Sequence, residues 1–251
     1  MITAVALSGL PEVTPGDDLA ALIGSALNRD GRTLDDEDVI VIAHKAVSKA
    51  EGRLRRLAEV QPGPRARQLA EELGKDPRHV QVVLDESRAV LRASHGVMIC
   101  VTRHGFVCAN AGVDASNAPA EGTVILLPLD PDGSARRIRG DLRDTLGVAP
   151  AIVITDSFGR AWRHGQCDIA IGCAGLSPLD DWRGLTDSVG HALSATRIAV
   201  ADELAAAADL ARTKDGRQPV VLLGGVGPHV TRDDGPGAAA MLRPEAEDLF
   251  R

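Results

Sequence analysis

Short apolar runs, broken by glycine, proline and charge, set the rhythm of this chain, and most of them have the length of strands. Residues 2–7 (ITAVAL) are the first. Residues 38–43 (DVIVIA) are the second, apolar almost throughout, which predicts a strand covered on both faces. Between them "SGLPEVTPGDD" reads as a loop, and Pro15 to Asp18 open a helix that runs to about Asn28. Pro64 to Gly74 predicts a helix with the glycine as its stop. Residues 76–94 mix helical and strand signals and stay open. Two β-rich runs flank His104-Gly105 in "VMICVTRHGFVCANAG", the pattern of a hairpin.

Further along, 122–130 (GTVILLPLD) predicts a strand, and 136–146 an amphipathic helix ending at Gly147. Residues 151–155 predict a strand that stops at Asp156-Ser157. "CDIAIGCAG" (167–175) is another apolar run, and the Ala-rich stretch 196–212 is the strongest helical signal in the chain. Residues 220–223 read as a strand, 224–237 as a Gly-rich loop, and a short helix is expected near the C-terminus. Strands and helices mix without strict alternation and hairpins occur, so the expected class is a mixed α+β fold.

Composition narrows the picture. The 251 residues permit one large domain or two small ones. Aromatics make up only 2% and Tyr is absent, so the core must be Ala, Val, Ile and Leu. The net charge of −7 is spread along the chain, with no basic block to suggest a nucleic-acid surface. An anionic substrate would need a local cluster of cations. Cys100, Cys108, Cys167 and Cys173 form no C-x-x-C or Cys/His zinc spacing. They read as reduced thiols of a cytoplasmic protein, with a Cys100–Cys108 bridge conceivable but disfavoured. No signal peptide and no apolar run of membrane-spanning length is present.

Three stretches could carry chemistry. In "VITDSFGRAWRHGQ" (153–166) a strand ends on Asp156 and Ser157, hard oxygen donors of the kind Mg2+ or Mn2+ takes. Arg160 and Arg163 beyond them can contact phosphate or carboxylate. An aspartate that merely caps a turn reads the same way. In "AGVDASN" (111–117) Asp114 offers a second carboxylate and Asn117 an amide, where an ordinary Asx-turn is the competing reading. "HKAVSKAEGR" (44–53) places Lys45, Ser48 and Lys49 after a buried strand, as phosphate contacts or as a charged helix start. Neither a Walker A sequence nor G-x-G-x-x-G occurs, and no Ser-His-Asp or Cys-His pairing can be argued from residue order.

Together with "SGLPEVTPGDDL", "RGLTDSVG", "TRIAVADELAAAADL" and "LRPEAEDLF", these stretches resemble the coenzyme F420 glutamate ligases, collinearly over almost the whole chain. Those are GTP-dependent γ-glutamyl ligases. The resemblance implies a catalytic unit over residues 1–251 built from two interleaved subdomains in an intertwined homodimer. In actinobacterial relatives this unit is fused to a C-terminal nitroreductase-like domain; none is expected within these 251 residues, as a standalone ligase or as part of a longer fusion. The resemblance implies phosphorylation of a carboxylate by GTP to an acyl phosphate, then attack by the amine of L-glutamate. Leu10, Pro11, Glu12, Val13, His44, Lys49, Asn117, Thr213 and Lys214 are the implied nucleotide positions. Asp114 and Asp156 are the implied catalytic carboxylates and ligands of a first Mg2+ or Mn2+, and Ser157 a ligand of a second. Arg160 and Arg163 are candidates for phosphate or substrate, and K+ is a further candidate ion. No nucleic-acid or membrane partner is implied.

Three places depart from the family pattern. His44 stands where many relatives have Ser or Thr. Thr213-Lys214 stands where they have Gly-Gln. "LGGVGPHVTRDDG" replaces an Arg-Gly-bearing loop. Two other classes fit the same residues: a metal-dependent phosphohydrolase, with water as acceptor, and a non-catalytic GTP-binding or dimerisation module. Dependence on glutamate separates the hydrolase from the ligase, and GTP binding without turnover would mark the module.

Overall fold

The apolar runs at 39–43, 151–155 and 220–224 lie side by side in one sheet. The computed structural model describes residues 1–213 and 215–249. In chain order the first half gives β1 (Thr3–Ala6), α1 (Leu19–Arg29), β2 (Val39–Ala43), α2 (His44–Ala50) and β3 (Leu54–Arg56). It continues with α3 (Pro64–Leu73), α4 (Pro77–Asp85), β4 (Ser87–Ser94), β5 (Val97–Thr102), β6 (Val107–Ala109) and β7 (Thr123–Ile125). The second half gives α5 (Pro131–Leu146), β8 (Ala151–Arg160), β9 (Arg163–Ala174), β10 (Asp180–Asp181), β11 (Arg197–Ile198), α6 (Val200–Leu210) and β12 (Val220–Gly224). The mixed α and β composition agrees with the expected class.

The main sheet has the order β1-β12-β2-β8-β9. Only β2 and β8 run parallel, paired from Val39↔Ala151 to Ala43↔Thr155. Side chains alternate across a strand, so each buried strand feeds two cores. Ile40, Ile42, Ile152, Ile154 and Leu222 face a core shared with α1, α2 and α5. Val39, Val41, Val153, Val221 and Leu223 face a second core under α6. Coverage on both faces is why 39–42 carries no polar residue. A third core, built from Val60, Leu69, Val80, Val83, Met98, Cys100, Val124 and others, ties α3 and α4 to β4–β7. That body grows from the chain between α2 and α5.

Local signals set most element ends. Asp18 caps α1 by accepting the Ala21 N–H at 3.0 Å. Asp130 accepts the Gly133 N–H at 2.9 Å, and Pro131 occupies the first turn of α5. The helix therefore begins at Pro131, five residues before the expected 136. The open stretch 76–94 divides into α4 and β4, with Asp76 as cap and Pro77 as opening residue. The Ala-rich helix starts at Val200 rather than Thr196, because Arg197 and Ile198 pair with β10. Only Thr123–Ile125 of the 122–130 run is a strand. Near the C-terminus the expected helix is replaced by 3-10 turns at Ala238–Met241 and Glu245–Glu247.

The largest correction concerns β8. It does not stop at Asp156; it continues to Arg160 against the long partner β9. Polar residues 155–160 hide that continuation because the apolar alternation ends while the backbone ladder does not. Cys100 and Cys108 oppose each other across β5 and β6, yet both thiols are free, and burial pushes Cys108 up to about 12. Among the described residues no helix is long and apolar enough to cross a membrane.

Candidate functional site

The parallel pair β2 and β8 ends where α2 begins, and the carboxyl ends of parallel strands are where open α/β sheets bind ligands. The register Ala43↔Thr155 puts the next residues, His44 and Asp156, together. His44 Nε2 stands 3.2 Å from Asp156 Oδ1. His44 is 2% exposed, and its Nε2 has no hydrogen-bond partner, so the close approach lacks the direction of a hydrogen bond. Its Nδ1 faces Ser48 Oγ, one turn along α2, at 3.3 Å. Asp156 Oδ1 also accepts the Ser157 N–H at 2.8 Å.

The following residue of α2 holds the other carboxylate. Lys45 Nζ lies 2.6 Å from Asp114 Oδ2 and donates to Ser116 Oγ at 2.5 Å. Asp114 accepts the Ser116 N–H at 2.7 Å and its hydroxyl at 2.8 Å. Its backbone is fastened to the end of β7 by reciprocal bonds with Ile125, of 3.0 and 2.8 Å. Burial works to raise the Asp114 carboxyl, but hydrogen bonds from Lys45 and Ser116 and the Lys45 charge outweigh it and hold it below the usual carboxylate value. Just upstream, Asn110, Ala111 and Gly112 all have positive φ, as does Asn117 just downstream. For Ala111 (φ 53°) that is a strained conformation, held by burial in the third core.

Lys49, 6% exposed, pairs with Glu12 of the loop before α1. Val13 is buried and Leu10 half-buried against the same core. So Leu10, Pro11, Glu12, Val13, His44, Lys45 and Lys49 gather around α2, with Asp114 and Asp156 on successive residues of its first turn. Asn117 is exposed beside Asp114. Thr213 is exposed just beyond α6, and Lys214 lies outside the described residues.

Two expectations fall elsewhere. Asp156 points to α2, whereas Ser157 points to the opposite face of β8, where its hydroxyl donates to Asp168 Oδ1 at 2.6 Å. Arg160 and Arg163 oppose each other at the exposed tip of the β8–β9 hairpin. At the usual rise of a strand, Arg160 stands about 13 Å beyond Asp156. Its guanidinium donates to the His164 carbonyl at 2.5 Å.

Asp168, 2% exposed, is the neighbour that sequence reasoning missed, and it fixes the end of β8. It accepts from Thr155 Oγ1 at 2.9 Å, from Ser157 Oγ and from the Arg212 guanidinium. Arg212 also donates to Thr155 Oγ1 at 3.1 Å, which ties the loop after α6 to the end of β8. A lone acid inside "CDIAIGCAG" was the available signal.

A divalent cation fits between these groups in one sense only. Among the described residues no three His, Cys, Asp or Glu side chains stand close enough to cage an ion by themselves. The two carboxylates do present hard oxygens at one helix turn, and the Lys45 ammonium on Asp114 shows that this position accepts positive charge. Mg2+ and Mn2+ sites often complete such partial shells with waters and phosphate oxygens.

The comparisons with known proteins agree with one another. The family model for F420-0:gamma-glutamyl ligase matches residues 9–225. A protein of Methanothermobacter thermautotrophicus named coenzyme F420:L-glutamate ligase is 47% identical over 251 residues, 100% of this chain and 99% of that one. One of the same name from Methanopyrus kandleri is 46% identical, covering 96% of this chain and 94% of its own. Another, from Archaeoglobus fulgidus, is 40% identical over 98% of this chain and 94% of its own.

Proposed function

The chain belongs to the F420-0:gamma-glutamyl ligase family, and from that membership we propose that it joins L-glutamate to the carboxylate of the F420 precursor, using GTP and divalent cations at the α2 site. A carboxylate is a poor electrophile. A carboxylate oxygen of the precursor attacks the γ-phosphorus of GTP, GDP leaves, and an acyl phosphate remains. The amine of glutamate attacks the acyl carbon and loses a proton, phosphate departs, and the amide is complete. A second round adds a γ-linked glutamate.

The residues have separable tasks. Lys49 leaves Glu12 for the triphosphate, and the Leu10–Val13 loop closes over the nucleotide. Lys45, anchored to Asp114 in the free protein, is near enough to take up phosphate once it leaves that carboxylate. Asp114 and Asp156 would hold a divalent cation there, which would supply charge neutralisation for the transferring group. Positioning and charge supply most of the rate in such transfers. Ser157, on the other face of β8, belongs to a separate ion position if it binds one. The subunits pair through surfaces that one chain leaves open. Trp162 at the hairpin tip and Val189 in the loop between β10 and β11 are 75% and 73% exposed.

The observation that carries the reading is that Asp156 and Asp114, distant in sequence, lie against the consecutive α2 residues His44 and Lys45. The test incubates the protein with precursor, GTP, Mn2+ and L-glutamate and follows products by mass spectrometry. Glutamyl adducts that need all four components are expected. Phosphate release that ignores glutamate would instead mark a hydrolase.

A further inference from the structure

His44 is buried, yet its Nε2 bonds to nothing, while Asp156 Oδ1 waits 3.2 Å away. Proteins seldom bury an unbonded polar atom without a reason. We propose that His44 Nε2 is itself a ligand of the divalent cation, beside Asp156. This rests on the metal reading above and extends it to a nitrogen donor.

Three features of the geometry support it. The first is separation. Two donors bound side by side on an octahedral ion, each about 2.1–2.2 Å from it, stand about 3 Å apart. The 3.2 Å between Nε2 and Oδ1 has that size, without the direction of a hydrogen bond. The second is the far side of the ring. Ser48 Oγ, fully buried, sits 3.3 Å from Nδ1, where it can accept the Nδ1 proton and leave the Nε2 lone pair facing Asp156. Metal-bound histidines are oriented by such outer partners. The third is rigidity. His44 opens α2 directly from β2, whose register against β8 fixes the imidazole relative to Asp156.

A nitrogen donor among oxygens changes metal preference. Mg2+ favours an all-oxygen shell, whereas Mn2+ and Co2+ tolerate imidazole and rank by softer affinity. The structure thus gives this chain a bias toward transition ions over Mg2+ at the Asp156 position.

The test reads the metal rather than turnover. Mn2+ and GTP are added, without precursor, to unlabelled protein and to protein grown with 15N-histidine. Pulsed EPR should show a nitrogen coupling that changes isotope with the label. The coupling should vanish in H44Q, which keeps much of the side-chain volume, and in H44S. Mn2+ should bind about tenfold or more weakly in both, the usual size of a disturbed metal site. Competition by Mg2+ should change far less.

Mn2+ that binds tightly with no histidine coupling overturns the His44 assignment and leaves the metal reading intact. A coupling that survives H44Q also overturns it and points to another imidazole, such as His79, which lies within electrostatic reach of Asp114. Failure of Mn2+ to bind the wild-type protein at all overturns both readings. The labelled wild-type measurement decides the matter even if a variant does not fold.

Discussion

The polar end of the β8–β9 pair carries one aspartate on each face, Asp156 on β8 and Asp168 on β9, and they are treated in opposite ways. On the α6 face, Asp168 is buried and bonded to Thr155, Ser157 and Arg212. On the α2 face, Asp156 is more open, its side chain 17% exposed, and its nearest cation-capable neighbour makes no hydrogen bond to it. One carboxylate has every partner it needs from its own chain. The other is left short. A buried acid with complete partners holds structure, while one with missing partners is poised for something the chain does not contain. Stability and function are thus divided across one pair of strands.

Asp156→Asn should break the functional side of that division. Turnover is expected to fall roughly a thousandfold, equivalent to about 4 kcal/mol of lost charge stabilisation in the transition state. The melting temperature should hold or rise, because the substitution removes a charge that folding leaves poorly paired. Calorimetry beside steady-state kinetics checks both halves. Unchanged turnover would remove Asp156 from the site.

The reverse result is expected for Asp168→Ala. It strips the buried carboxylate from a guanidinium whose side chain is 10% exposed, and breaking such a pair costs about 3–5 kcal/mol. For a chain of this size that lowers the melting temperature by roughly 6–20 °C. Replacing Arg212 with Met in the same background should recover part of the loss, since neither charge then remains buried. If Asp168→Ala is as stable as the parent, the contrast between the two faces is wrong.

How much of this division the sequence announced depends on which residue is asked about. The run at 38–43 predicted a strand covered on both faces because two-sided burial leaves a continuous apolar signature, and 220–223 read as a strand by its apolar run alone. Pro64 and Gly74 marked a helix through backbone rules that act locally. The family resemblance brought Asp114, Asp156 and Lys49 forward, but said nothing of which side of β8 each neighbour takes. Side follows from register, and register is a property of two segments: Ala43↔Thr155 is what delivers His44 to Asp156. The continuation of β8 to Arg160 was invisible because its signal is the backbone ladder with β9. Asp168 looked like a flaw in an apolar run, since its partner Arg212 lies beyond a helix that begins much later in the chain.

The smallest expected effect sharpens the comparison from the Asp114 side. Asp114, with its side chain 42% exposed, is more acidic in the fold than in the unfolded chain, where a carboxyl titrates near about 3.9. A carboxyl of that kind stabilises the fold above its unfolded pKa and loses the contribution as pH falls through its lower folded value. Because the pair with Lys45 is partly exposed, solvent screening limits it to at most about 1 kcal/mol. Lys45→Gln should therefore cost up to that amount at pH 7 in urea unfolding. The gap should narrow below about pH 4 and close once the folded carboxyl is protonated, and added salt should shrink it at pH 7. Asp168→Ala should still be destabilised in acid, since the hydrogen bonds that Thr155 and Ser157 make to that side chain are lost whatever its charge. A Lys45→Gln deficit that is large and indifferent to pH would mean that Asp114, like Asp168, is held for the sake of the fold.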